Sequence, residues 1–184
     1  HIMASDKIIL GLDPGTNVMG FGIISFKNQK LKALQYGVIK MNKEKDHIKK
    51  LKVIFETVNN LINEFKPNEI SIESPFYGKN IQSMLKLGRA QGVAMVAGEI
   101  NNITITEYAP KKIKQAVTGN GNASKEQLNK MIQKILNIKI LDSNKLDASD
   151  ALGAALCHLY QKSNNQTTKK SWKEYLISNP DKLV

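Results

Sequence analysis

Cysteine is almost absent. Cys157 stands alone among 184 residues, which excludes an internal disulfide and any cysteine-based zinc cage and suits a reducing, cytoplasmic compartment. No apolar run approaches the roughly 20 residues of a membrane span, so no membrane partner is expected. The opening His1-Ile2-Met3 lacks the charged and then apolar order of a secretory leader. With the following residues to position 6 it reads as a cloning remnant. No Walker lysine is present, and Gly20-Phe21-Gly22 has no third glycine and falls inside a strand pattern, so no nucleotide cofactor is indicated. Acids are few as well: 16 Asp and Glu face 27 Lys and Arg, a net charge of +11. Such an excess favours a polyanionic partner; lysines on solvated helix faces are the plainer account.

The length suits one domain at roughly 100–200 residues. Residues 7–13, 19–27 and 31–41 read as three strands joined by turn chemistry at Pro14-Gly15-Thr16 and Lys27-Asn28-Gln29-Lys30, an antiparallel meander. From Glu44 to Phe65 the period changes: Ile48, Leu51, Phe55, Val58, Ile62 and Phe65 mark one face of a long helix, stopped by Pro67. Strands are expected at 69–73 and 102–106. Helices are expected over 80–100, from Pro110 to Gly119, over about 125–136 behind a Ser124/Gln127 capping box, and from about Lys145 to Gln161. The 80–100 helix is rich in small residues (Gly88, Ala90, Gly92, Ala94, Ala97, Gly98), which fits either a subunit interface or close packing on its own sheet. This order predicts an α/β fold with a five-stranded mixed sheet, three strands antiparallel and two further strands reached through helices. The domain spans 7–162, and residues 163–184 form a polar, loosely held tail.

The scarce acids fall at informative places. Asp13 ends the first strand and Glu73 the fourth; Asp147 and Asp150 share one face of the last helix at i, i+3, where that helix turns from core to solvent. Four carboxylates at the ends of adjacent elements repel one another unless a cation sits among them. Oxygen-only ligands favour Mg²⁺ or Mn²⁺, and two such ions about 3.5–4 Å apart can clamp a scissile phosphate. Pairing with lysines or helix capping is the structural alternative. Lys111, Lys114 and Lys125 (with Lys112) bracket the Gly119-Asn120-Gly121 loop, which suits phosphate contacts or a solvated face. Phe76 and Tyr77, beside Gly78 and Lys79, suit stacking on an unpaired base or packing under the loop. His47 and His158 have no metal-ligand spacing and read as structural or exposed.

The motifs also resemble a known family. Gly11-Leu12-Asp13-Pro14-Gly15-Thr16 with Gly20-Phe21-Gly22, then Ile72-Glu73-Ser74-Pro75-Phe76 with Lys79-Asn80 and Leu85 to Gly92, then Glu107 to Gly119, then Asp147-Ala148-Ser149-Asp150-Ala151-Leu152 are similar, in order over residues 7–160, to the RuvC family of Holliday junction resolvases. The resemblance implies a ribonuclease H-like fold and a homodimer that makes paired, Mg²⁺-dependent nicks in four-way junction DNA during recombination and repair. Mn²⁺ is expected to substitute. It implies Asp13, Glu73, Asp147 and Asp150 as catalytic acids holding two ions, Phe76 as a junction-core aromatic, and Lys114 and Lys125 as DNA contacts. Tyr77 departs from the apolar residue often found there. A RuvA–RuvB branch-migration complex is the implied partner. Competing readings are a YqgF-type nuclease acting on RNA and a non-catalytic nucleic-acid-binding module.

Overall fold

The computed structural model describes residues 6–74, 80–139 and 146–167. The meander forms as expected: β1 (Lys7–Asp13), β2 (Val18–Lys27) and β3 (Lys30–Lys40) pair antiparallel. The β2–β3 hairpin turns through Asn28 and Gln29, at φ 50° and 62°. Two left-handed central residues match the right-handed twist of the flanking strands. β4 (Glu69–Glu73) and β5 (Thr104–Tyr108) add parallel to β1, giving the order β3-β2-β1-β4-β5.

Several boundaries shift from the sequence reading, among them the C-terminal end of β5, at Tyr108 rather than residue 106; two of the shifts have a plain local reason. The first helix, α1 (His47–Phe65), starts after Glu44 because Asp46 is its N-cap and accepts the Ile48 amide. Lys66, left-handed at φ 48°, then turns the chain out ahead of Pro67. β5 starts at Thr104 rather than Asn102. The chain leaving α2 (Ile81–Ile100) makes a turn in which the Asn102 amide bonds the Glu99 carbonyl at 2.9 Å and Asn102 takes φ 55°. Those residues close the helix and are lost to the strand.

Alternation along the strands divides the core. Leu10, Leu12, Ile70 and Ile72 point to the face covered by α1 and α2, while Ile9 and Ile24 point to the face covered by α4 (Lys125–Leu136) and α5 (Leu146–Thr167), a period of two. α3 (Pro110–Thr118) packs on α5 through Ile113, Ala154 and Cys157.

α5 corrects one expectation. The Asp147/Asp150 pair was expected on an amphipathic helix at a core-to-solvent boundary. Residues 148–159 are instead buried without interruption, because the helix lies between the sheet and α3–α4. It also continues past Gln161 to Thr167. In α2 part of the small-residue set packs on its own sheet and part does not. Ala90, Ala94, Ala97 and Gly98 are buried against the sheet, with a Cβ at Gly98 falling 2.8 Å from Ile70 Cδ1. Gly88 and Gly92 face open space.

Candidate functional site

The C-terminal ends of β1 and β4 and the first turn of α5 meet at one edge of the sheet. Asp13 is the last residue of β1 and pairs across the ladder with Gly20. Glu73 is the last residue of β4. Glycines bring α5 down onto this edge. A Cβ at Gly20 would lie 1.9 Å from the Asp147 carbonyl oxygen, and one at Gly11 would lie 2.0 Å from that of Ala151. Gly11 pairs with Gly22, so β1 and β2 present a shallow trough that only backbone lines. The helix seated in it is further tied by Ser71, whose hydroxyl donates to the Ala154 carbonyl at 2.7 Å.

The result is a tight acidic group. Carboxylate oxygens of Asp13, Asp147 and Asp150 lie within 4.8 Å of one another. Glu73 falls outside that group but stands beside it, lining the same cavity as Asp150. Burial pushes the Asp13 carboxyl up to about 8, and the charges of Glu73, Asp150 and Asp147 push in the same direction against Lys125. Burial followed by the Asp150 charge raises Glu73 to about 7, with Lys125 and Lys114 opposing. Asp150 is raised mainly by burial, although it accepts a hydrogen bond from Lys125. Carboxyls held this far above their ordinary range are short of positive charge. Hard oxygen donors at this spacing fit a divalent metal ion.

Basic residues share the cavity beside the acids. It has a volume of about 510 Å³ and is lined by Glu73 and Asp150 together with Lys111, Lys114 and Lys125. Lys125 Nζ bonds Asp150 Oδ2 at 2.7 Å. The loop between α3 and α4 is held from within. Gln115 donates to the Gly119 carbonyl at 2.8 Å and accepts the Gly121 amide at 2.9 Å. Thr118 bonds the carbonyls of Lys114 and Asn120. The lysines therefore project from a fixed rim.

Of the residues singled out in the sequence, Asp13, Asp147 and Asp150 converge, with Glu73, Lys111, Lys114 and Lys125 around the adjoining cavity. Phe76, Tyr77 and Lys79 lie outside the described residues. The sequence reading assigned no role to the residues that build the site without touching it: Gly11, Gly20, Gly22 and Gln115, which lie in the motif blocks, and Ser71, which does not. Gly20-Phe21-Gly22 belongs to the first family-like block and is no nucleotide fingerprint; its alternation is the signal for a bare strand face. Gln91, buried on α2, donates to Glu107 of β5 at 2.6 Å and so links two of the sequence blocks. His158, far from the acids along α5, bridges the Tyr108 hydroxyl at 2.9 Å and the Glu69 carboxylate, which confirms its structural reading.

Among known proteins, the family model described as crossover junction endodeoxyribonuclease RuvC matches residues 9–158. A curated protein of that name from Christiangramia forsetii is 53% identical over 99% of this chain and 95% of its own. Another, from Cytophaga hutchinsonii, is 54% identical over 97% and 88%. Among solved structures, Thermus thermophilus RuvC in complex with a Holliday junction substrate superposes with a TM-score of 0.79 at 27% identity, covering 86% of this chain and 96% of that one. A second Thermus thermophilus RuvC structure superposes with a TM-score of 0.77 at 26% identity, covering 86% of this chain and 96% of that one.

Proposed function

Because the chain belongs to the RuvC family of crossover junction endodeoxyribonucleases, we propose that it resolves four-way DNA junctions by paired nicks that depend on Mg²⁺. The observation that carries the reading is the convergence of Asp13, Asp147 and Asp150 within 4.8 Å, beside Glu73 and a lysine-lined cavity. Asp13, at the centre of the acids, would hold both ions, with Glu73, Asp147 and Asp150 completing the two sets of ligands. When bound, the ions supply an activated water and stabilise the leaving oxygen of an in-line displacement, and Mn²⁺ can take the place of Mg²⁺.

The protein's own part is to place the phosphodiester. Lys111, Lys114 and Lys125 offer ammonium groups to the backbone along the cavity, a contact that positions without reading sequence. No side chain need act as nucleophile. The trough under α5 fixes Asp147 and Asp150 relative to Asp13, and the β1–β4 pairing fixes Asp13 relative to Glu73, an arrangement set before substrate arrives.

Two symmetric nicks call for two such sites, and a homodimer provides them. The open face of α2 supports this. Ile81, Leu85, Val96 and Ile100 are exposed apolar residues there. They share a stripe with Gly88 and Gly92, which would let a second helix approach closely. Phe76, Tyr77 and Lys79, directly after Glu73 in sequence, are the proposed contacts to the junction core, and a RuvA–RuvB complex is the proposed partner in recombination and repair.

The test is cleavage of a synthetic mobile junction with Mg²⁺ and with EDTA. Symmetric nicks in Mg²⁺ and none in EDTA are expected. Preferential cleavage of single-stranded RNA, or junction binding without incision in Mg²⁺ or Mn²⁺, would overturn the reading.

A further inference from the structure

Lys125 and Asp150 form the shortest ion pair of the site, and one of its partners is a residue that a metal ion would need. The pair is uneven. The Asp150 side chain is 11% exposed, where α5 becomes buried, whereas that of Lys125 is 65% exposed, at the first residue of α4. The short, buried carboxylate has little room to move; the ammonium can swing on its four-carbon stem. Where it would swing is also defined, because Lys125 lines the cavity together with Lys111 and Lys114. Lys114 influences the same acids by its charge but makes no ion pair among the described residues.

We propose that Lys125 is an internal counter-ion that competes with the divalent ion for Asp150 and passes to a DNA phosphate when the ion binds. This rests on the metal-dependent reading above and adds a coupling to it. An ion entering beside Asp150 must displace the Lys125 ammonium, which costs affinity in the free protein. A phosphate in the cavity receives the displaced ammonium and removes that cost. Metal and DNA therefore strengthen each other's binding, as linkage requires, and the DNA-free protein is kept poorly loaded with metal.

The experiment titrates Mn²⁺ into the DNA-free, full-length protein, reading free Mn²⁺ by electron paramagnetic resonance. The wild type is compared with Lys125→Met, Lys125→Gln and Lys114→Met. The exposed position of Lys125 leaves the fold intact in either variant, and circular dichroism verifies it. Both substitutions at 125 should tighten Mn²⁺ binding about tenfold, within the usual range of such couplings, and Lys114→Met by no more than about twofold, because Lys114 lines the cavity without an ion pair to Asp150 for the metal to displace. In an Asp150→Asn background the advantage of Lys125→Met should shrink to that of Lys114→Met. Equal tightening by the two lysine positions would overturn the inference and leave the metal site standing. If no protein binds Mn²⁺ at all, the metal reading and this inference fail together.

The transfer to DNA has its own readout. Lys125→Met should weaken junction binding several-fold more in Ca²⁺ than in EDTA, because without a divalent ion the ammonium stays on Asp150. An equal loss under both conditions would show that Lys125 contacts DNA independently of the metal and would overturn the transfer.

Discussion

Gly20 lies directly beneath Asp147: a Cβ there would sit 1.9 Å from the Asp147 carbonyl oxygen. The contact involves backbone on both sides, so no rotamer change can relieve it. Gly20→Ala must lift the start of α5, and with it Asp147 and Asp150, away from Asp13. The expected cost is about 1–3 kcal/mol of stability, as for other overpacked sites. Nicking should fall out of proportion to that cost. Thermal denaturation and junction cleavage on the same preparation check it.

Asp13→Asn should reduce nicking by about a thousandfold or more. Metal ions supply several kcal/mol at such centres, at about 1.36 kcal/mol per tenfold in rate. Junction binding should be retained, since the lysines of the cavity are untouched, and improved where pH exceeds about 8 and the metal-free Asp13 would carry a negative charge. Single-turnover cleavage and an electrophoretic binding assay separate the two effects.

The raised carboxyls give the metal-free protein a defined pH dependence. Asp13 at about 8 and Glu73 at about 7 hold protons that the unfolded chain has already released. Their contribution to stability is complete below the ordinary carboxylate range and is lost as pH rises through their folded values. On the acid side Glu69 acts oppositely. Burial opposes its ionisation, but hydrogen bonds from His158 and Lys7 outweigh it and hold the carboxyl at about 2, so its contribution is lost as pH falls below the ordinary range. The melting temperature in EDTA should therefore decline from about pH 5.5 to about pH 8.5, and Asp13→Asn should flatten that decline. Added Mg²⁺ should raise the melting temperature more at the higher pH, where the ligands have shed their protons. Calorimetry across pH, with and without Mg²⁺, measures both.

Lys114→Ala should weaken junction affinity similarly across DNA sequences and lower the slope of log affinity against log salt by about 1. Fluorescence anisotropy over a salt series gives the slope. An unchanged slope would remove Lys114 from the DNA contact.

Val96→Glu on the open face of α2 should leave the monomer's stability within about 0.5 kcal/mol, as for most surface changes, and convert the protein to monomers by sedimentation. Paired nicking of one junction should then become uncoordinated.

The sequence carried the acids and their order because their chemistry is local: Asp13 and Glu73 end β-branched runs, and Asp147 and Asp150 share a helical face. It also carried the mixed sheet, since turn residues and period changes mark each element. What it could not carry was the environment of α5. The Ala- and Gly-rich run 148–155 reads as one apolar stripe with a polar edge, and only the trough formed by Gly11, Gly20 and Gly22, residues well over a hundred positions away, shows that the helix is covered on all sides. Gln115 was likewise invisible, because its bonds to Gly119 and Gly121 exist only once α3 has ended in that loop. At Asn102 the sequence pattern points to strand, and the helix-closing turn prevails.

Since α5 threads the interior, the half of the acidic group that it bears resides in the segment slowest to open. Amide hydrogens along the buried run 151–159 should exchange with solvent only through whole-molecule unfolding. Heat inactivation and loss of structure should then coincide, with no folded yet catalytically dead population on the way.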